Sequence, residues 1–102
     1  MSTNKDYLNF LLDQLSSLEG ITYRMMMGEY VIYFRGKVAA YVCDNRLLIK
    51  PVPAAINMLP YAEYDSISQG GRKKLLRIDN VDDRDFLTDL FNAIYDALPF
   101  SK

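Results

Sequence analysis

Histidine and tryptophan are missing from this chain of 102 residues, and there is a single cysteine, Cys43. Without histidine the sequence lacks the commonest general base, the serine-type catalytic triad and the ligands of most zinc sites. A lone cysteine cannot form an internal disulfide, and no histidine is present to activate its thiol. We therefore predict a protein that is not an enzyme and holds no metal or cofactor. Cys43 is expected to be a half-buried structural residue in a reducing, cytoplasmic interior.

The chain also has little net charge and no long apolar run. Twelve basic and thirteen acidic residues leave a formal charge of -1, so no global field attracts nucleic acid. The first fifteen residues lack the basic start and hydrophobic block of a secretory signal, and no stretch is long enough to cross a bilayer. With 50% hydrophobic and 25% charged residues, the composition predicts one soluble globular domain over 1–102.

Leucine spacing predicts a first helix over about residues 4–18. Ser2 or Thr3 is suited to cap it, and Gly20 is suited to end it. Five leucines recur three and four positions apart, which places them on one helical face: Leu8, Leu11, Leu12, Leu15 and Leu18.

Residues 21–50 change to a period of two, with β-branched and aromatic residues that are typical of strands. Gly28, Gly36 and the pair Asp44-Asn45 separate the apolar segments, and glycine and asparagine tolerate the positive φ of tight turns. Four consecutive strands with such short connections form an antiparallel meander.

The second half predicts a short helix, a fifth strand and a long helix. Pro53 is suited to start the short helix and Pro60 to stop it, and residues 73–79 alternate as a strand does. Asp82 or Asp83 is suited to cap the last helix. The predicted class is therefore α+β, in two layers, with an antiparallel sheet of about five strands and helices packed on one face.

Three consecutive methionines precede Gly28. In a strand Met25 and Met27 point to one face and Met26 to the other, so the three thioethers cannot line one pocket. Two of them are expected to fill irregular core space. A pocket for a small ligand near Met25, Met27 and Tyr23 remains an alternative.

Charged side chains offer further candidate contacts. Glu29 is expected to pair across the sheet with Arg24 or Arg46. The densest basic cluster could contact phosphate, although basic residues on an outer strand also discourage aggregation; it consists of Arg72, Lys73, Lys74 and Arg77. A stacking platform for single-stranded nucleic acid is a weaker alternative, built from Tyr30, Tyr33 and Tyr41 near Arg24, Arg35 and Lys37.

Segment 23–51 resembles the N-terminal domain of the TfoX/Sxy family of competence regulators, and residues 75–99 resemble the closing strand and helix of that domain. The resemblance covers nearly the whole chain and implies a secretion-chaperone-like fold. The positions that match the family pattern are Arg24, Met26, Met27, Gly28, Tyr30, Tyr33, Gly36, Lys37, Asp44, Leu48 and Lys50.

The resemblance implies a non-enzymatic regulator. Fuller family members are co-activators that act with the cAMP receptor protein at competence promoters, and they carry a second, C-terminal domain that this chain is expected to lack. A transcription regulator or an RNA polymerase component is then the expected partner. The surface predicted to bind it contains Arg24, Glu29, Arg35 and Lys37. Direct nucleic-acid binding through the basic cluster and a ligand-sensing role remain alternatives, and an uncovered sheet face or edge strand would favour a homodimer.

Overall fold

The computed structural model describes residues 4–26, 29–65 and 74–98. A short 3₁₀ turn at Tyr95–Ala97 follows the last helix. In chain order the elements are α1 (Lys5–Gln14), β1 (Ile21–Met26), β2 (Glu29–Phe34), β3 (Lys37–Cys43), β4 (Arg46–Ile49), α2 (Pro53–Met58), β5 (Tyr64–Asp65), β6 (Leu75–Ile78) and α3 (Arg84–Ile94).

All described strands belong to one antiparallel sheet in the order β1-β2-β3-β4-β6-β5. The predicted α+β class and the four-strand meander are confirmed. The sheet has six strands rather than about five, because the chain between α2 and β6 contributes the two-residue β5.

The three helices lie over one face of the sheet, which we call the inner face. Leu8 and Leu11 of α1, Ala55 of α2, and Leu87 and Phe91 of α3 belong to one buried cluster. The strands contribute alternate residues to the same cluster: Tyr30, Ile32, Phe34, Ala40, Val42, Leu47, Ile49, Leu76 and Ile78. No helix within the described ranges is long and apolar enough to span a membrane.

Helix α1 is shorter than predicted. Its cap is Asn4, whose side chain accepts a hydrogen bond of 2.8 Å from the backbone N–H of Asp6. The helix ends at Gln14, and the chain then continues in tighter turns. Gly20, with φ of 82°, lies at the entry to β1 rather than at the helix end. The predicted caps Ser2 and Thr3 lie outside the described residues.

The two links around β3 are the tight turns that the sequence predicts. Arg35 and Gly36 have φ of 51° and 83°, and Asp44 and Asn45 have φ of 51° and 57°. Two consecutive left-handed residues suit the twist of a two-residue hairpin. Prediction and structure also agree at α2, which begins at Pro53, and at α3, where the Asp83 side chain accepts from the N–H of Phe86 at 3.1 Å.

A β-bulge between β2 and β3 changes the orientation of the residues beyond it. Ile32 lies opposite Ala40, but Tyr33 lies opposite Val38, so Ala39 is the extra residue. The side chain of Lys37 therefore lies on the inner face, opposite Phe34. Without the bulge, the alternation of side chains along β3 from Tyr41 would have placed Lys37 on the face away from the helices.

Candidate functional site

The sheet face opposite the helices, which we call the outer face, carries Glu29, Tyr33, Tyr41 and Arg46 of the central strands. A single row of paired positions crosses five strands on this face: Arg24, Val31, Tyr41, Leu48 and Arg77. Within the described part of the chain, no helix covers this row.

A small second core lies within the outer face. Cys43, Leu48 and Leu75 are at most 3% exposed, and Tyr41 packs against them. Because no described helix lies above them, these apolar groups are covered by neighbouring side chains of the same face. The outer face is therefore a packed surface with a polar and aromatic top layer.

Arg46 organises the centre of that top layer. Its guanidinium forms ion pairs with Asp65 and, at 3.7 Å, with Asp44. Its Nε donates to the backbone oxygen of Cys43 at 3.2 Å. The hydrogen bond to Asp65 is the main cause of a raised pKa of Arg46. Strand β5 thus supplies the carboxylate that holds the Arg46 side chain across the sheet.

Arg77 lies beside this group and is also surrounded by carboxylates. It contacts Glu63 at 2.6 Å, Asp79 at 2.8 Å and Asp65 at 3.9 Å. Hydrogen bonding to Asp79, followed by that to Glu63, raises the pKa of Arg77. Asp65 therefore links Arg46 to Arg77, and the two guanidinium groups form one network.

The predicted basic cluster is only partly described. Arg72 and Lys73 lie outside the described residues, and Lys74 is exposed. Because Arg77 is held by carboxylates, a phosphate group would have to compete with Glu63 and Asp79 for it. The part of the cluster that the structure describes gives no support to a phosphate site.

The Cys43 thiol donates a hydrogen bond to the Glu29 carboxylate. Within the described residues, Glu29 makes this contact and no ion pair with Arg24 or Arg46, so the predicted cross-sheet pair is wrong. Cys43 is 1% exposed, which is more buried than predicted. Burial, followed by the hydrogen bond to Glu29, raises the pKa of Cys43 to about 11. At neutral pH the thiol is therefore protonated.

We expect Cys43 to react slowly with thiol reagents and Glu29→Gln to accelerate the reaction severalfold. A rise in pKa from 9.0 to about 11 lowers the thiolate fraction near neutral pH roughly 100-fold. Removing the Glu29 carboxylate removes one cause of that rise. The measurement is the rate of modification by a chromogenic disulfide at about pH 8. Glu63→Gln, whose carboxylate contacts Arg77, serves as the control, and equal rates for both variants would contradict the assignment.

The structure divides the predicted partner-binding set. Arg24 is exposed and Glu29 half-buried, both on the outer face. The guanidinium of Arg35 lies in the β2–β3 turn, 5.8 Å from the centre of the Tyr95 ring. Lys37 is 8% exposed; its Nζ donates to the backbone oxygen of Tyr95 at 3.1 Å and lies 4.2 Å from that ring. The prediction that all four residues share one continuous surface is therefore wrong, because the β-bulge turns Lys37 inward.

Met25 and Met26 do not fill the core as predicted. Met25 is 65% and Met26 48% exposed, because β1 is an edge strand. Met27 and Gly28 lie outside the described residues. Tyr23 lines a groove between α1 and β1, but Met25 does not. The predicted ligand pocket is thus not formed by the described members of that set.

The other family-pattern positions have separate structural roles. Tyr30 is buried on the inner face with its ring edge-on to Tyr23 at 5.9 Å. Tyr33 is half-buried on the outer face, so Tyr30 cannot join it in a stacking platform. Lys50, half-buried, follows β4.

Among the residues that the structure describes, no cluster of cysteine and carboxylate groups is arranged to hold a metal.

Sequence reasoning missed the Arg46–Asp65–Arg77 network. Asp65 lies nineteen positions after Arg46, in a strand of two residues that shows no measurable alternation. The available signal was Arg77 between apolar residues of a predicted strand, while Arg46 was placed in the turn before another strand. Their carboxylate partners depend on strand order, which the sequence did not specify.

Fold and site together define a one-sided α+β domain, in which helices cover the inner face of a six-stranded sheet and leave an arginine- and tyrosine-bearing outer face. Residues 13–92 match the TfoX N-terminal domain, and the chain belongs to this family. A relative from Spirochaeta aurantia, described as an uncharacterized 12.7 kDa protein in the trpE 5' region, is 30% identical over 102 residues. The match covers 100% of this chain and 89% of that protein. No solved structure gave a significant match.

Proposed function

We propose that this domain is a non-enzymatic regulatory module that acts in the cytoplasm and binds a partner protein through the outer face. The observation that supports this most directly is the composition of that face. Tyr33, Tyr41 and three arginines lie on this face, Tyr41 packs on its small buried core, and no described helix covers them. Tyrosine and arginine are the residue types that concentrate binding energy at protein interfaces.

The geometry also supports binding with little ordering cost. Arg46 and Arg77 are held in place by Asp65, and Tyr41 packs on buried neighbours. Side chains that are already ordered lose less conformational entropy when a partner arrives. Arg24 is exposed and, within the described ranges, has no ion-pair partner, so it offers the face a charge that is open to an acidic group.

A non-enzymatic role fits the chemistry of the face. The Cys43 thiol, with a pKa of about 11, is a poor nucleophile at neutral pH. Arg46 and Arg77 are already paired with carboxylates, and the chain has no histidine to act as a base. Membership of the TfoX N-terminal domain family supports a regulatory role. A transcription regulator or RNA polymerase component is the partner class that the proposal favours.

The test is affinity capture from a lysate of the native host, with nuclease present, by the wild-type chain and by two double variants. Arg24→Glu/Tyr33→Ala alters the outer face. Lys5→Glu/Tyr61→Ala makes the same chemical changes on α1 and on the loop after α2, where Tyr61 is 95% exposed. We expect a transcription protein to be retained by the wild type and the control, and at least tenfold less by the outer-face variant, which equals about 1.4 kcal/mol of binding energy.

Equal retention by all three proteins would overturn the outer-face assignment. Retention that is seen only when nuclease is left out of a parallel capture would replace the protein partner with nucleic acid.

A further inference from the structure

The outer edge of β1 presents backbone groups of three residues to a further strand. The N–H of Arg35 donates to the backbone oxygen of Gly20 at 2.9 Å. Gly20 and Arg35 are therefore a hydrogen-bonded pair of the ladder between β2 and the chain that leads into β1. Bonding alternates along an antiparallel pair, so Thr22, Arg24 and Met26 direct their backbone groups toward β2. The backbone groups of Ile21, Tyr23 and Met25 therefore point away from the sheet.

The inner-face side of the same edge is apolar, and the charged side chain of the strand, Arg24, lies on the outer face. Tyr23 is 41%, Met25 65% and Met26 48% exposed. Ile21–Met26 contains no proline, pairs with β2 without a bulge, and carries one charged residue, Arg24. Natural edge strands are generally protected by proline, a bulge or charged side chains, because an open edge is a template for another strand, and here only one charge serves that purpose.

A groove of about 460 Å³ continues this edge on the inner-face side, between α1 and β1. Its lining is mostly apolar and consists of Leu12, Leu15, Ser16, Leu18, Ile21, Thr22 and Tyr23. A strand added to β1 would place alternate side chains beside this groove. The edge thus offers both backbone hydrogen bonds and a place for apolar side chains.

We propose that a second copy of this chain occupies the edge, with β1 paired antiparallel to its own copy about a two-fold axis at Tyr23. The two six-stranded sheets then form one continuous sheet. This homodimer is separate from the outer-face partner proposed above and leaves most of that face accessible.

Symmetry and charge select this register. A two-fold axis perpendicular to the sheet keeps every residue on its own face, so one residue must lie opposite itself. With Tyr23 at the axis, Ile21 lies opposite the second copy's Met25, and all three residues with outward backbone groups are paired. The side chains on the inner-face side of the new ladder are then apolar on both strands.

Neighbouring registers are less favourable. With Arg24 at the axis, two guanidinium groups would lie directly opposite each other, which is destabilising. With Thr22 at the axis, the outward groups of Met25 would have no partner. In the Tyr23 register Arg24 lies opposite Thr22, so no like charges meet. An edge that matches itself in backbone spacing, apolar pattern and charge favours a second copy over an unrelated peptide.

Oligomeric state tests the proposal. Light scattering after size exclusion and sedimentation velocity, from low micromolar to several hundred micromolar chain, are expected to show a monomer–dimer equilibrium. Tyr23→Pro removes an outward N–H and no bond to β2, so the fold is expected to persist while the dimer is lost. Circular dichroism and the unfolding midpoint check the fold of each variant.

A pair of adjacent methionines supplies a matched control that leaves the backbone intact. Met25→Lys places two charges in the apolar layer of the proposed interface and is expected to weaken dimerisation at least tenfold. Met26→Lys adds the same charge on the outer face, outside the paired residues 21–25, and is expected to change the dissociation constant less than about threefold.

Disulfide trapping tests the register. In the Tyr23 register the two Tyr23 Cα atoms are about 5.5 Å apart, within reach of a disulfide, whereas two Arg24 Cα atoms are roughly 8 Å apart. Tyr23→Cys is therefore expected to form a covalent dimer under mild oxidation and Arg24→Cys not to. The wild type, with buried Cys43, gives the background. A monomer at every concentration, a dimer unaffected by Tyr23→Pro and Met25→Lys, or trapping through Arg24→Cys would each overturn the proposal.

Discussion

Replacing Lys37 by glutamate is expected to lower the free energy of unfolding by about 3 kcal/mol or more. The Lys37 ammonium group is nearly buried, donates to the Tyr95 oxygen at 3.1 Å and lies over the Tyr95 ring. A carboxylate at this site would face a carbonyl oxygen and the negative face of an aromatic ring, and both contacts are repulsive. Urea unfolding followed by far-UV circular dichroism measures the loss.

Two further variants separate charge from packing at this site. Lys37→Met keeps the apolar stem and loses the hydrogen bond and the cation–π contact, so a loss of about 1–2 kcal/mol is expected. Arg24→Glu makes the same charge reversal on an exposed outer-face residue and is expected to stay within about 0.5 kcal/mol of the wild type. If Lys37→Glu unfolds at the same urea concentration as Arg24→Glu, the inward position of Lys37 is wrong.

The result matters for function because Lys37 is a family-pattern position. A loss of partner binding in a Lys37 variant would normally be read as loss of a contact. The structure assigns it instead to the junction between β3 and the 3₁₀ turn after α3. Partner binding should therefore be measured well below the unfolding midpoint of each variant.

Truncating Leu48 to alanine is expected to lower the free energy of unfolding by about 3 kcal/mol, although Leu48 lies on the outer face, which no described helix covers. Leu48 is 0% exposed and packs with Cys43, Leu75 and Tyr41. The loss combines the transfer free energy of the removed methyl groups with the cavity left under the top layer. Urea unfolding and thermal unfolding both report it.

Ile56→Ala provides the comparison for Leu48→Ala. Ile56 is 41% exposed on α2, so its truncation is expected to cost less than about 1 kcal/mol. Similar losses for the two variants would show that the outer-face core contributes no more than an ordinary surface contact. The outer face would then be a poor candidate for a pre-ordered binding surface.

Local structure was largely predictable because it depends on neighbouring residues. Leucine spacing predicted the buried face of α1, and period-two alternation predicted the strands of the meander. Asp83 and Pro53 marked the starts of α3 and α2. The left-handed turn at Asp44-Asn45 follows from asparagine and aspartate tolerating positive φ.

The candidate site was less predictable, because it depends on contacts distant in sequence. Arg24 and Glu29 lie on the outer face, but the carboxylate that joins Arg46 to Arg77 comes from Asp65 in a two-residue strand. Exposure of Met25 could not be read from its apolar character, since it follows from β1 being an edge strand.

By itself the sequence determined the class of fold and most helices and strands, because spacing, caps and turn residues act within a few positions along the chain. Only the tertiary structure decided which residues share the outer face. The extra residue Ala39 reverses the alternation of β3 and takes Lys37 to the helix side, and the strand order brings β5 beside β6. Bulge position and strand order are set by packing across the sheet, where residues far apart in the chain compete for the same space.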